Sequence, residues 1–290
     1  MTRIITVGGG KGGTGKSIVA TNIAVGLFKK GYNVLLVDAD VESPVDHILL
    51  GVKREKIDEI VGFVPIIDND KCVKCGICAN KCPEHALIGL PGKVPTLIES
   101  LCEGCSVCKL VCPVGAISGG KRPLGSIYRT NWKGMEIIQG EVNPGVKQHV
   151  NITAATIDYA SRLFEKYDYV VIDSSPGTGA NIWLTLRIAD LAIAVTEPTP
   201  LGLSDLKRYL SLVEGLGKRY IIALNKSDLK GGLKKPIVDI AREKRVEIYE
   251  IRYDKSILES YIERKPILEY NPKAHGALDI MALVDAMAMH

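Results

Sequence analysis

Short apolar runs alternate along most of the chain with segments of helical spacing, the pattern of a parallel sheet covered on both faces by helices. The runs occupy residues 4–7, 33–37, 169–173, 191–196, 220–224 and 245–251. All but the last lack the polar alternation of a one-sided strand, so burial on both faces is expected of them. Between the first two, Ile18, Val19, Ile23, Leu27 and Phe28 mark one face of a helix over 18–30, which stops at Gly31 as a left-handed cap would. Helical spacing returns over 151–167 and from Ser204 onward. The last stretch, 274–290, has only Asp279 and Asp285 as charged residues and no lysine or arginine after Lys273. It reads as a helix packed into the core, not as a basic amphipathic membrane helix.

The rhythm fails between residues 62 and 120, then resumes through a glycine-rich and basic stretch with strand candidates at 126–128 and 135–142 and a turn at Asn143-Pro144-Gly145. The expected fold class is α/β: a doubly wound, mostly parallel sheet from residues 1–61 and 121–290, with a small α+β domain inserted at 62–120. A length of 290 residues allows one large core plus such an addition. A net charge of +4 gives no argument for a nucleic-acid partner. No apolar run reaches the roughly 20 residues of a membrane span. The chain opens directly into a strand, without a signal peptide. A cytoplasmic protein is expected.

The first apolar run leads into Gly8-Gly9-Gly10-Lys11-Gly12-Gly13-Thr14-Gly15-Lys16-Ser17, and a helix follows. Gly10, four residues, then Gly15-Lys16-Ser17 is the phosphate-loop spacing in its strand-loop-helix context. Glycines let successive N–H groups turn inward on an anion, and the helix adds its positive N-terminal end. The backbone from Gly10 through Gly12, Gly13, Thr14, Gly15 and Lys16 to Ser17 and Ile18 is thus a candidate nucleotide cradle. Lys16 would meet the terminal phosphates and Ser17 would hold magnesium.

Lys11, a second lysine at the start of the loop, marks the deviant form, and here the chain resembles the MinD/ParA/NifH group of P-loop ATPases. The resemblance implies ATP and ADP as ligands, magnesium, and a homodimer in which Lys11 reaches the nucleotide of the partner subunit. Asp38-Ala39-Asp40, at the end of a strand, matches the group's first switch: Asp40 would position the attacking water and Asp38 would assist the magnesium shell. Taken alone, either is also an ordinary turn residue or cap. Asp173 ends a strand of Walker B form and would bind magnesium through water. The following Ser174-Ser175-Pro176-Gly177-Thr178-Gly179 matches the second switch, with Gly177 beside the γ-phosphate. In relatives an asparagine at the position of Asn225 hydrogen-bonds adenine. Asn225-Lys226-Ser227-Asp228 is also the form in which regulatory GTPases read guanine, so GTP stands as the alternative. Asp254 is a further candidate at the nucleotide edge.

All eight cysteines lie between residues 72 and 112. Cys72-x2-Cys75-x2-Cys78-x3-Cys82-Pro83 recurs thirty residues later as Cys102-x2-Cys105-x2-Cys108-x3-Cys112-Pro113. The repeat resembles the run of bacterial two-cluster ferredoxins, in which each fourth cysteine ligates the other cluster. This implies one [4Fe-4S] cluster on Cys72, Cys75, Cys78 and Cys112 and a second on Cys82, Cys102, Cys105 and Cys108. Paired Cys-x2-Cys also suits zinc, but zinc needs neither the third cysteine nor a crossed fourth. Residues 66–118 contain no Phe, Trp or Tyr, so the insert is expected to depend on its clusters for its fold. Arg122 and Arg129, near the exit of the insert, read as solvated loop residues.

Both halves together resemble ferredoxin-inserted MinD-like ATPases. The implied function is hydrolysis of ATP by a dimer, with Lys11, Lys16 and Asp40 catalytic, coupled to electron transfer or cluster delivery toward a redox or iron-sulfur partner. The absence of cysteine outside the insert excludes a cluster bridged by ATPase-domain cysteines. The alternative is a regulatory or positional ATPase whose cysteine module senses redox state or docks a partner.

Overall fold

A computed structural model describes residues 2–289. In chain order the elements are β1 (Arg3–Gly8), α1 (Lys16–Lys29), β2 (Val34–Ala39), α2 (Asp46–Leu49), β3 (Glu55–Ile67), α3 (Ile77–Asn80), β4 (Leu87–Ile88), β5 (Thr96–Leu97), α4 (Val107–Leu110), β6 (Ile117–Trp132) and β7 (Met135–Val142). They continue with α5 (His149–Ser161), β8 (Tyr169–Ser174), α6 (Ala180–Ile188), β9 (Leu191–Thr196), α7 (Pro200–Gly215), β10 (Arg219–Asn225), α8 (Lys234–Lys244), β11 (Ile248–Ile251), α9 (Lys255–Ile262), α10 (Ile267–Tyr270) and α11 (His275–Met289). The chain divides into two compact units, one of residues 1–57, 127–141 and 153–290, the other of 58–126 and 142–152.

The first unit is built on a parallel sheet. Strand order over the whole sheet is β11-β10-β9-β1-β8-β2-β7-β6-β3. The buried runs predict its centre well: β1 pairs with both β8 and β9, and β2 with β8, all parallel. Register then does chemical work, because Asp173 lies beside Val7 on one flank and beside Asp38 on the other. Both carboxylates thereby reach the C-terminal edge of the sheet, where ligands of such folds bind. On one face α1 and α11 pack over Ile5, Val7 and Leu36; on the other, α6, α7 and α8 cover Ala192, Ala194 and Leu224. Each fully buried Leu or Ile contributes about 2 kcal/mol, so these layers dominate the unit's stability. In α11, Ala277, Ile280, Val284 and Met287 are buried at helical spacing. Among the described residues no helix is long and apolar enough to cross a membrane.

Three elements differ from expectation. The strand foreseen at 126–128 is the middle of the sixteen-residue β6, which turns into β7 through Lys133-Gly134. Both turn residues have positive φ, 52° and 108°, as the tight hairpin matching strand twist requires. The helix expected over 151–167 ends at Ser161, and that expected from Ser204 starts at Pro200, where Thr199 caps it by accepting from the Gly202 amide at 3.0 Å.

The second unit extends beyond the expected 62–120. It has two one-turn helices, α3 and α4, and the short antiparallel pair β4 and β5. Its sequence repeat is also a backbone repeat. Positive φ recurs at Lys74 and Gly104, at Gly76 and Ser106, and at His85 and Gly115, each pair thirty residues apart. In each pair one member is not glycine, although the left-handed region costs such a residue about 1 kcal/mol.

Candidate functional site: a phosphate loop and two four-cysteine pockets

The loop after β1 is held from below and open above. A Cβ at Gly10 would lie 2.5 Å from Asp205 of α7, so the backbone sits directly on that helix, whereas a Cβ at Gly12 or Gly13 would meet nothing within 4 Å. Gly15 enters α1 with φ 94°. Two adjoining clefts share Gly13, Gly15, Ile18 and Tyr261: one adds Gly12, Lys16, Ser17, Asp40 and Pro176, the other Asn225, Asp254 and Tyr253. Burial pulls the Lys16 ammonium below the ordinary lysine value, against the attraction of Asp173 and Asp40. With only the Lys11 carbonyl accepting from it, at 3.0 Å, it is a desolvated cation suited to phosphate oxygens.

Behind the loop lies an acidic cluster. Asp38, Asp46 and Asp173 are fully buried, with ligand atoms all within 4.8 Å of one another. Burial raises the Asp38 carboxyl to about 7. Burial and the charge of Asp38 push Asp46 and Asp173 well above the ordinary range. Asp38 accepts from the Asp46 amide at 3.1 Å and from Gln139 Nε2 at 2.8 Å, and Asp46 from Thr21 Oγ1 at 2.9 Å. Ser17 favours the ionised form of Asp173, yet neither Asp173 oxygen makes a well-formed hydrogen bond. Two orphaned, buried carboxylate oxygens beside Ser17 fit a hydrated divalent cation. Asp40 is half-buried at the mouth; burial raises its carboxyl and Lys16 opposes that.

Lys11 is paired within its own chain. Its Nζ lies 2.8 Å from Glu197 Oε1, while Lys226 Nζ lies 3.2 Å from Glu197 Oε2. Asn225 donates Nδ2 to the Thr14 carbonyl at 2.8 Å, so its amide braces the loop. Asp254 caps α9, accepting from the Ser256 and Gly276 amides at 2.8 and 3.0 Å. Asp228, the acceptor of the guanine alternative, is engaged by the Tyr253 amide at 2.8 Å. Gly177 has φ 104° and donates its N–H to the Gly9 carbonyl at 3.1 Å, tying the loop after β8 to the phosphate loop.

In the second unit the eight free thiols form two sets. Cys72, Cys75, Cys78 and Cys112 line one pocket, and Cys82, Cys102, Cys105 and Cys108 line another. The sets are crossed: each takes its fourth cysteine from the other copy of the repeat. Cys82 Sγ accepts from the Ala86 amide and Cys112 Sγ from the Ala116 amide, both at 3.3 Å. Burial raises the Cys78 and Cys108 thiols. Among the described residues the three aspartates are the group of three with ligand atoms within 4.8 Å, so no three cysteine sulfurs are drawn together that tightly.

The family described as CobQ/CobB/MinD/ParA nucleotide binding domain matches residues 5–267. The chain belongs to this family. It is 34% identical over 272 residues, 92% of each chain, to Uncharacterized protein MJ0579 of Methanocaldococcus jannaschii. It is 49% identical over 65 residues to an iron-sulfur cluster carrier protein of Aquifex aeolicus, a match of 22% of this chain and 18% of that one. Its fold is that of the septum site-determining protein MinD complexed with Mg-ADP from Pyrococcus horikoshii, with TM-score 0.64 and 22% identity over 99% of this chain and 96% of that one. The fold is thus a P-loop nucleotide-binding α/β fold with a mostly parallel sheet of nine strands.

Within this family member the structure gathers Gly12, Gly13, Gly15, Lys16, Ser17, Ile18 and Asp40 at one cleft, with Asp38 and Asp173 behind it. Sequence reasoning missed Asp46 and Glu197. Glu197 had a signal, a carboxylate just beyond the end of a parallel strand, as with Asp40. Asp46 had none, since a one-turn helix carries it to the cluster. Arg122, expected in a solvated loop, instead donates to the Glu99 and Cys102 carbonyls, both at 2.6 Å.

Proposed function

We propose that this chain binds and hydrolyses ATP as a homodimer and couples that cycle to electron transfer, or to cluster delivery, through two [4Fe-4S] clusters. The observation that carries the proposal is the sorting of eight thiols into two crossed sets of four on a chain that also has a phosphate loop. Sulfur spacing supports iron-sulfur over zinc. Around one zinc, with Zn–S near 2.3 Å, tetrahedral sulfurs would sit about 3.8 Å apart; no three of these thiols are within 4.8 Å of one another. Thiols kept for metal persist in a reducing compartment, and we place the protein in the cytoplasm.

The chain's own residues divide the work at the nucleotide. Backbone N–H groups from Gly12 to Ser17 cradle phosphate oxygens, and Lys16 neutralises charge that grows on them in the transition state. Asp40, at the cleft mouth, orients the attacking water. Ser17 and Asp173 hold magnesium, with Asp38 and Asp46 supporting that shell. When bound, magnesium supplies charge neutralisation on the phosphates, and each cluster supplies one-electron chemistry. Lys11 acts across the dimer, and to do so it leaves Glu197, which keeps Lys226. The nucleotide is ATP by the deviant loop, and the second Nδ2 hydrogen of Asn225 is the one that would reach adenine while the first holds the Thr14 carbonyl.

Anaerobic purification followed by iron and sulfide analysis tests the cofactors, with about eight irons per chain expected from two four-iron clusters. One zinc per set of four thiols would sink the reading. Coupling is tested by measuring both cluster potentials with and without nucleotide; identical values in the two states would remove it. A second reading, a positional ATPase that docks a partner, draws on the likeness to MinD of Buchnera aphidicola, 24% identical over 219 residues. Partner capture without any redox turnover would favour it.

A further inference from the structure

The two cysteine pockets repeat each other in backbone, thiol positions and amide-to-sulfur bonds, but they differ at one carbonyl. Cys102 O accepts from Arg122 Nη2 at 2.6 Å and from Gln148 Nε2 at 2.9 Å. Among the described residues no side chain donates to the carbonyl of Cys72, its equivalent. Among the described residues Arg122 Nε and Gln148 Oε1 are buried without partners. A half-buried guanidinium beside a cluster ligand stabilises the extra negative charge of a reduced cluster, whereas Glu84 and Glu103, which line the same pocket, oppose it.

Gln148 has a counterpart nine residues earlier. Gln139, on β7, donates Nε2 to Asp38 Oδ2 at 2.8 Å, and both residues are fully buried. Its Oε1, like that of Gln148, has no partner. Between the two glutamines runs a tight connection, with Val146 N bonded to the Asn143 carbonyl at 3.1 Å and Asn143 N to the Leu124 carbonyl at 2.9 Å. One short segment therefore carries an amide that donates to the acidic cluster and an amide that donates to a cluster ligand.

We propose that the cluster held by Cys82, Cys102, Cys105 and Cys108 is the nucleotide-responsive one of the two, with Arg122 and Gln148 as its positioning residues and the 139–148 segment as the element that carries the response. The inference rests on the function proposed above. Mg-nucleotide bound at the cleft displaces the Asp38 carboxylate to which Gln139 donates, and the segment passes that displacement to the hydrogen bond that Gln148 makes to the Cys102 carbonyl.

Redox titration followed by electron paramagnetic resonance, on anaerobic full-length protein with Mg-ADP or a non-hydrolysable ATP analogue, tests this. In the unsubstituted protein one of two potentials is expected to move with nucleotide. R122Q should lower that same potential and leave the other in place, and R122K should restore it. Q148L should keep both clusters and ATP turnover within about two-fold while losing the nucleotide-dependent shift. Hydrogen exchange covers the case in which R122Q fails to load. Nucleotide should alter exchange over residues 142–152 and 99–105 but not over 72–78. If R122Q and nucleotide act on different clusters, if Q148L keeps the shift, or if exchange changes equally around both pockets, the inference is overturned. A protein whose two clusters both ignore nucleotide would instead remove the proposed coupling itself.

Discussion

The two compact units solve the problem of stability in opposite ways. The first buries whole layers of aliphatic side chains, among them Ile5, Ile23, Leu27, Leu36, Ile137 and Ile172, with no exposure at all. The core of the second consists of Cys78, Ala79, Leu87, Cys108 and Ile117, with Phe63, Ile67, Leu97, Val111 and Cys112 partly buried against it. Three of those ten are proposed metal ligands. The parallel strands at the centre of the first unit, β1, β2, β8 and β9, stand by burial alone, whereas two one-turn helices, a pair of two-residue strands and the parts of β3 and β6 that belong to the second unit do not. The lesson is that occupancy of the cysteine pockets should decide the fold of one unit and be nearly invisible to the other.

The sharpest way to break this contrast is to remove the metal. Chelation, or the double substitution Cys78→Ala and Cys108→Ala, is expected to abolish hydrogen-exchange protection across residues 58–126 while leaving β1, β2, β8 and β9 protected. Retained protection in both units without iron would show that the second has an adequate core after all. Next in size, Lys16→Ala should lower ATP turnover by roughly 10²-fold or more and weaken nucleotide binding, with iron content unchanged. A parallel loss of iron would mean that the units do not stand independently.

Lys11→Ala separates the pairing seen here from the role proposed across a dimer. Nucleotide binding should persist, while turnover and ATP-driven dimerisation, followed by light scattering, are lost. Breaking the Lys11–Glu197 pair should itself cost less than about 1 kcal/mol, because Lys11 remains partly exposed and Lys226 still holds Glu197. A normally active monomeric variant would remove the trans role. The smallest effect concerns pH. Asp38, Asp46 and Asp173 are all raised above the carboxylate value of the unfolded chain, so between those values the folded state holds more protons. Stability of the metal-free protein should therefore fall as pH rises from about 4 through 7, and magnesium should restore more of it at pH 8 than at pH 6. Asp173→Asn should raise metal-free stability at pH 8 by about 1–2 kcal/mol and abolish the magnesium effect in thermal melts.

What could be read in the sequence follows the same division. In the first unit β1, α1, β2, β8 and β9 were legible because an unbroken apolar run bounded by glycine or aspartate has one reading. Asp38 and Asp173 were legible because the end of a parallel strand is a defined place. β3 was not: Glu55, Lys56, Asp58 and Glu59 crowd its start and Pro65 lies within it, as suits the last strand of a sheet, and this hid it as a boundary. β6 was broken up by Gly119, Gly120 and Pro123, so Arg122 looked like a solvated residue. The crossed thiol sets came from the resemblance to ferredoxins, and spacing alone left zinc open. Asp46 illustrates the limit, since nothing in its neighbours announces that a single helical turn will carry it beside two other buried carboxylates.

β3 and β6, which bracket the cysteine repeat, are neighbours in the sheet. The chain therefore departs and returns one strand spacing apart, about 4.8 Å. An evolutionary graft at such a place needs no rearrangement of its host, because the gap left by excision is one that a two-residue turn already spans between β6 and β7. On that view the cysteine module is a removable cassette, and an ancestor with a plain hairpin between those strands would have been a complete nucleotide-binding domain.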